Sequence, residues 1–222
     1  MVDVAPIFSL DGIGFAYPEG RPLFEELHFS LREGERVGLL APNGSGKTTL
    51  LRLIVGLEKK LAGRVLLRGA PVLDEGGWRE LRRKVGVVLQ SADDQLFCPT
   101  VLEDVAFGPL NLGLGRDAAR EAALAALRSL GLEGFEHRLT HKLSGGEKKL
   151  VCLAAVLSMH PEAVLLDEPA AGLDQAAEDR LAGVLKSLPA ASLVISHDRD
   201  FLRQTVSRVL TIAGGRLEPV AL

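Results

Sequence analysis

Cysteine is scarce: only Cys98 and Cys152 occur in 222 residues, too few for a disulfide framework in a chain of this length. No positively charged leader followed by an apolar stretch is read at its start, and the expected setting is a reducing cytoplasm. A basic excess is also missing, since 26 Lys and Arg stand against 29 Asp and Glu for a net charge of −3. Nucleic acid, which is gripped through its phosphates by clustered cations, is therefore not expected as the main partner. Long hydrophobic runs are absent too. The most apolar stretches, such as residues 150–157, fall far short of the ~18 residues a transmembrane helix needs, so the chain is not expected to cross a bilayer alone. There is no internal repeat, no low-complexity tract and no His, Cys or carboxylate cluster at metal-ligand spacing.

What is present reads as an α/β domain. Division of the length by ~150 residues gives one large domain or two small ones, and a hydrophobic fraction of 47% is that of a globular chain. Short apolar runs bounded by turn residues lie at 37–40, 85–89, 163–166 and 193–195, continuous enough for a sheet buried on both faces. Residues 7–17 and 27–31, separated by Gly and Pro turns, read as antiparallel strands, with 64–68 extending the group and a final strand near 209–212. Helices are predicted over 117–130, with Asp117 as N-cap and Gly131 at the C-cap; over about 147–159, stopped by His160 and Pro161; and over about 175–188, stopped by Pro189.

Two motifs carry chemistry. Residues 38–49 read GLLAPNGSGKTT, an apolar strand entering a Gly-rich turn and then Leu50, Leu51, Leu53, Ile54 and Leu57 at helical spacing, which is the context of a P-loop. Small residues let backbone N–H groups wrap phosphates, the helix N-terminus adds partial positive charge, Lys47 reaches the terminal phosphates and Thr48 is placed to ligate Mg²⁺. On this reading Asn43, Gly44, Ser45, Gly46, Lys47, Thr48 and Thr49 bind the nucleotide. Ala41 replaces the first Gly of the pattern, a departure of about 1 kcal/mol if that position requires positive φ. Residues 163–169 read AVLLDEP, a buried strand ending in adjacent carboxylates. Asp167 is assigned to the Mg²⁺ shell, and Glu168 to the attacking water as general base.

A third motif, LSGGEKKL at 143–150, opens a helix with Ser144 and Glu147 in capping-box spacing, and its turn is also a good anion site. Here the chain resembles the ATP-binding subunits of ABC transporters, whose signature is LSGGQ. The resemblance implies a P-loop NTPase (RecA-like) α/β core with an N-terminal antiparallel β layer and an α-helical subdomain inserted at about 91–161, all within one domain, 1–222. It implies that Tyr17 stacks on adenine, worth ~1 to 3 kcal/mol. By the same likeness Gln90 senses the γ-phosphate and Mg²⁺, His197 in VISHD is the switch histidine, and Asp174 in AGLD contacts a partner subunit. Ser144, Gly145, Gly146 and Glu147 would bind, in trans, the ATP held by the partner's P-loop. The other histidines, His28, His137, His141 and His160, are read as structural.

Within that family the strings FAYPEG (15–20), VVLQSADDQLF (87–97), TVLEDVAFGPLNLGL (100–114) and LSGGEKK are similar to the ATPases of energy-coupling-factor importers, especially the cobalt and nickel group. Departures are Glu147 for Gln, Leu150 where Arg is frequent, and Ala170 and Ala171 for Thr and Ser. The resemblance implies a Mg²⁺-dependent ATPase acting as a homodimer with an integral membrane energy-coupling subunit. Its place would be the cytoplasmic face of the membrane, and its cargo a cobalt or nickel ion or a vitamin. Asp93, Asp94 and Gln95 beside Leu96 and Phe97 are read as the partner's docking spot, the alternative being that the carboxylates cap a helix and Phe97 is core. A soluble ABC ATPase acting in DNA repair or on ribosomes stays open as the second reading. A small kinase or GTPase is a weaker third, since a kinase leaves LSGGE unexplained and no NKxD motif is present.

Overall fold

The computed structural model describes residues 5–18, 20, 22–42 and 44–221. Among these residues, β1 (Phe8–Ala16), β2 (Pro22–Leu31), β4 (Ala62–Leu67) and β5 (Ala70–Pro71) form a four-stranded antiparallel sheet in the order β2-β1-β4-β5. In β1 the buried alternation Phe8, Leu10 resumes as Ile13, Phe15. The skipped beat falls at Gly12, φ 61, where the register with β2 shifts, as a bulge requires.

The second sheet has six strands. It comprises β3 (Arg36–Leu39), β6 (Val85–Val88), β7 (Ala163–Asp167), β8 (Ala191–Ile195), β9 (Arg208–Ala213) and β10 (Arg216–Pro219), in the order β10-β9-β3-β8-β7-β6. All neighbours are parallel except β10 on β9. The reason its strands read as unbroken apolar runs is visible in β7: Ala163 and Leu165 join one core, Val164 and Leu166 the other. Both faces are covered.

The helix α1 (Lys47–Ile54) lies between the two sheets. Its Leu50, Leu51, Leu53 and Ile54 are buried with Phe8 and Leu10 of β1 and Val37 and Leu165 of the parallel sheet, each contributing roughly 1.5 to 3 kcal/mol. The P-loop helix is thus clamped from both sides. Between β6 and β7 the chain forms α3 (Val101–Asn111), α4 (Arg116–Ser129) and α5 (Gly145–Leu157). Their Val101, Val105, Leu127 and Val151 share the second core with Val164 and Leu166. The remaining helices are α2 (Glu75–Lys84), α6 (Gln175–Ser187) and α7 (Arg199–Thr205). No helix among the described residues is long and apolar enough to cross a membrane.

Several boundaries differ from those expected. The strand placed at 27–31 begins at Pro22, because Phe24 is buried while exposed Glu25 and Glu26 occupy an irregular stretch with Glu26 at φ 49. Asp117 is not the N-cap but lies in the first turn; the N-cap is Gly115, two residues earlier, which offers no side-chain cap. Helices α2, α3 and α7 were not expected. Gly76 and Gly77 lie inside α2 and Gly108 and Pro109 inside α3, yet Asp74 caps the first through Gly77 N and a Thr100/Glu103 capping box starts the second. Local caps and burial outweigh the poor propensities of Gly and Pro.

Candidate nucleotide site

The turn leaving β3 supplies the cradle. Gly44 and Gly46 have φ of 77 and 96, and a Cβ on Gly46 would lie 2.8 Å from the Phe24 ring, so glycine is required there by conformation and by space. Ala41, in contrast, is not among the positive-φ residues, and the missing first glycine carries no strain. Asn43, expected among the nucleotide ligands, lies outside the described residues. Lys47 Nζ curls back to donate to Ala41 O at 2.7 Å and Pro42 O at 3.4 Å, which places the ammonium inside the loop's curve, where phosphate oxygens would compete for it.

One cleft of about 520 Å³ gathers Gly44, Gly46, Lys47, Thr48 and Thr49 of the P-loop with Tyr17, Gln90, Asp167 and Glu168; Ser45, expected to bind the nucleotide, does not line it. Tyr17, 48% exposed, packs at right angles to the Phe15 ring, bonds Thr49 Oγ1 through its hydroxyl at 2.7 Å and lines the cleft. Thr48 Oγ1 donates to Asp167 Oδ2 at 2.7 Å. Burial pushes the Asp167 carboxyl above the ordinary range, a tendency opposed by the Thr48 hydrogen bond and Lys47 and reinforced by Glu168. Glu168 is 6% exposed and lies in the left-handed region, φ 50. Its Oε2 meets His197 Nδ1 at 2.9 Å. For Glu168 to act as a general base its carboxylate must accept, and the hydrogen of this bond then belongs to Nδ1.

Gln90 follows β6 in a loop closed by a residue that the sequence did not single out for this purpose. Gln95 Oε1 accepts Leu89 N at 2.9 Å and its Nε2 donates to Val87 O at 2.8 Å, continuing the backbone pattern of β6 with a side chain. A side-chain amide carries its donor and its acceptor on separate atoms, as a peptide group does, but sequence alone does not say which Gln plays this part.

The signature turn is elsewhere. Ser144, Gly145, Gly146 and Glu147 line a separate cavity of about 460 Å³ with Asp174 and Arg180, so one chain does not bring LSGGE to its own P-loop. Ser144 caps α5 in a full capping box: its N donates to Glu147 Oε2 at 2.8 Å and its Oγ accepts Glu147 N at 3.2 Å. Glu147 also bonds Arg138 Nη1 at 3.1 Å, and that guanidinium lies 3.6 Å over the Phe135 ring. These bonds, that from Ser144 N foremost, hold the Glu147 carboxyl below its usual range. The acid at the fifth signature position is thus compensated locally. Asp174 is exposed and caps α6 through Ala177 N at 2.8 Å.

The two lysines that follow Glu147 on α5 are both engaged. Lys148 Nζ reaches Asp93 Oδ1 at 2.6 Å, whereas Lys149 Nζ donates to Glu168 O at 2.8 Å and Ala171 O at 2.6 Å. Ala170 and Ala171 lack hydroxyls, and the loop is tied through its backbone instead. Desolvation lowers the Lys149 pKa, against the pull of Glu168 and Asp167.

Comparison with known proteins agrees with this geometry. Residues 24–171 match the family described as ABC transporter. The energy-coupling factor transporter ATP-binding protein EcfA of Methanothermobacter thermautotrophicus is 40% identical over 215 residues, covering 95% of this chain and 69% of that one. The cobalt import ATP-binding protein CbiO of Rhodobacter capsulatus is 41% identical over 221 residues, covering 96% and 78%. Among solved structures, CbiO1 from Clostridium perfringens, part of the ABC transporter complex CbiONQ, superposes with a TM-score of 0.86 at 32% identity, covering 96% of this chain and 87% of that one. A dimeric ATP-binding cassette in a post-hydrolysis state with ADP and Pi gives 0.86 at 27% identity, covering 95% and 96%. The fold is that of the ABC ATPase cassettes, and the chain belongs to the ATP-binding subunits of the ABC transporter family, with similarity to the energy-coupling-factor and cobalt import ATPases.

Proposed function

We propose that the chain is a Mg²⁺-dependent ATPase that powers import of a small cargo, a cobalt or nickel ion or a vitamin, through a membrane partner at the cytoplasmic face. The observation that carries the hydrolytic part is the pairing of Glu168 with His197 at 2.9 Å beside the Lys47 cradle and the Thr48–Asp167 bond. Residues 1–222 are read as one cassette, with 91–161 as its helical subdomain.

The roles follow from position. The P-loop amides and Lys47 bind the β- and γ-phosphates, and Tyr17 offers its ring to adenine. Thr48 and Asp167, with Gln90 nearby, form an all-oxygen set that suits Mg²⁺ shared with substrate phosphates; when bound, the ion neutralises phosphate charge. Glu168 accepts a hydrogen bond from water and aligns it for in-line attack on the γ-phosphorus. His197, held by Glu168 through Nδ1, turns its other nitrogen to the charge developing on the transferred oxygens. No covalent intermediate is needed. Lys47 meets the same charge, joined by Ser144 and Gly146 of a partner subunit.

A head-to-tail homodimer is supported by the separation of the signature cavity from the P-loop cleft within one chain. Docking to a membrane subunit is supported by a groove of about 700 Å³ beside the Gln90 loop, rimmed by Leu57, Phe97, Phe107 and Met159 with buried Asp104. Phe97 is 65% exposed and packs edge-on with Phe107 rather than joining the core. Phosphate release from ATP in Mg²⁺ and in excess EDTA tests the reaction, and no turnover in Mg²⁺ would overturn it. Co-purification with ribosomes or nucleic acid instead of a membrane protein would move the assignment to a non-transport ABC ATPase.

A further inference from the structure

We propose that Lys149 is a positioning residue that ties the signature helix of each protomer to its own Glu168, so that the two composite ATP sites of the dimer are mechanically coupled. This rests on the hydrolytic reading above, in which Glu168 handles water at its own P-loop while Ser144 and Gly146 meet the partner's nucleotide.

The geometry is direct. Lys149 Nζ donates to Glu168 O at 2.8 Å and to Ala171 O at 2.6 Å. Ala171 N also donates to Glu168 O, at 3.3 Å, so the ammonium closes both ends of the turn that follows β7. Glu168 needs such a closure because its backbone has φ 50, a conformation that a side chain bearing residue leaves unless its surroundings hold it. On its other side Glu168 N is fixed by Ile195 O at 3.0 Å. The sheet therefore holds the amide and α5 holds the carbonyl.

Lys149 lies five residues beyond Ser144 on one helix, about 7.5 Å along a rigid rod. When a partner's nucleotide draws the Ser144 turn toward its phosphate, α5 moves as a unit and takes the Glu168 carbonyl with it. Leu150, one residue on, is buried and apolar, and Lys148 is engaged with Asp93 on the Gln90 loop. Lys149 is thus the cation through which α5 reaches the catalytic turn. A brace that served folding alone would leave the relation between the two sites untouched.

The test compares K149M, K149Q and K149R with the wild type, each checked for an unchanged melting temperature. K149M should lower kcat about tenfold or more, the scale of a misplaced catalytic group. KM for ATP and equilibrium binding of a fluorescent ATP analogue should stay within about threefold, and the Hill coefficient for ATP should fall toward one. K149R should recover most of the turnover and the cooperativity. In an E168Q background, K149M should still form the ATP-dependent dimer by size-exclusion chromatography. Turnover in K149M within twofold of wild type, or an undiminished Hill coefficient, overturns the proposal. Parallel loss of turnover and ATP affinity that K149R does not repair overturns it equally. If K149M does not fold, K149Q is read by the same criteria. Absence of ATP turnover in the wild type would instead overturn the hydrolytic reading, and this proposal with it.

Discussion

His197 Nδ1 meets Glu168 Oε2 at 2.9 Å although the two residues are 29 positions apart. The parallel sheet explains the meeting. Asp167 of β7 and Ile195 of β8 are register partners, so the residues that follow them leave neighbouring strands at the same edge, where open α/β sheets place their ligands. Glu168 is almost fully covered, while the His197 side chain is 74% exposed. The buried acid is held rigidly and the exposed imidazole is left accessible to whatever enters the cleft.

From this pairing, E168Q should abolish nearly all turnover, by ~10² to 10⁴-fold, while ATP binding persists. The amide keeps the shape and the contact with His197 but cannot polarise water as a carboxylate does. Single-turnover phosphate release against fluorescent-nucleotide affinity measures both; turnover near the wild-type rate would exclude Glu168 as the general base.

A second expectation concerns stability and pH. Burial tends to raise the Glu162 carboxyl, but hydrogen bonds from Lys84 at 2.6 Å and Arg68 at 2.5 Å outweigh it and hold the pKa below the usual value. A depressed folded-state pKa stabilises the fold above the unfolded value near 4.3 and loses that contribution as pH falls through the folded value. E162Q should cost roughly 1 to 2 kcal/mol at pH 7, after discounting for partial exposure, or about 2 to 8 °C in Tm. The gap should narrow as pH falls below the unfolded value and through the lower folded one. A gap that stays unchanged across an acid titration followed to unfolding would show packing, not charge, at work.

Much of this site was legible because its parts are short strings with fixed local geometry. The P-loop, the paired acids after β7 and the Ser144 capping box each announce themselves by spacing, and their elements formed within a few residues of expectation. What stayed hidden depends on tertiary contact. Lys149 looks in sequence like any solvated helix lysine, and only the packing of α5 against the β7 turn gives it two carbonyl partners. Gln95 is likewise indistinguishable from Gln90 by residue type, although it is the one that closes the loop. Helix α3 was missed because Gly108 and Pro109 mask its periodicity.

The two separate cavities make a mixing experiment decisive. K47A disables the P-loop cleft and S144R obstructs the signature turn, and each homodimer should be inactive. Combined, the two chains should regain one working site in mixed dimers, because one composite pocket then pairs an intact Lys47 with an intact Ser144. The expected recovery is a sizeable fraction of the wild-type rate per mixed dimer. No recovery in dimers shown to be mixed would point to an obligate heterodimer with a related ATPase.

Asp93 and Asp94 lie on a single 3₁₀ turn, Ala92–Asp94, between Gln90 and the apolar groove. Asp93 is paired with Lys148 at 2.6 Å, so it belongs to the scaffold. Asp94 is exposed, outside the nucleotide cleft, and three residues before the exposed Phe97 that lines the groove. An apolar floor with an acidic rim is complementary to a helix that carries an apolar face and a basic residue. D94R reverses the rim charge without removing a core contact. It should leave the basal ATPase of the isolated chain within about twofold, as surface substitutions generally leave folding, while reducing co-purification with the membrane subunit and lowering cargo uptake. An equal fall in basal ATPase would assign Asp94 to the hinge at Gln90 instead, and undiminished co-purification would remove this rim from the interface.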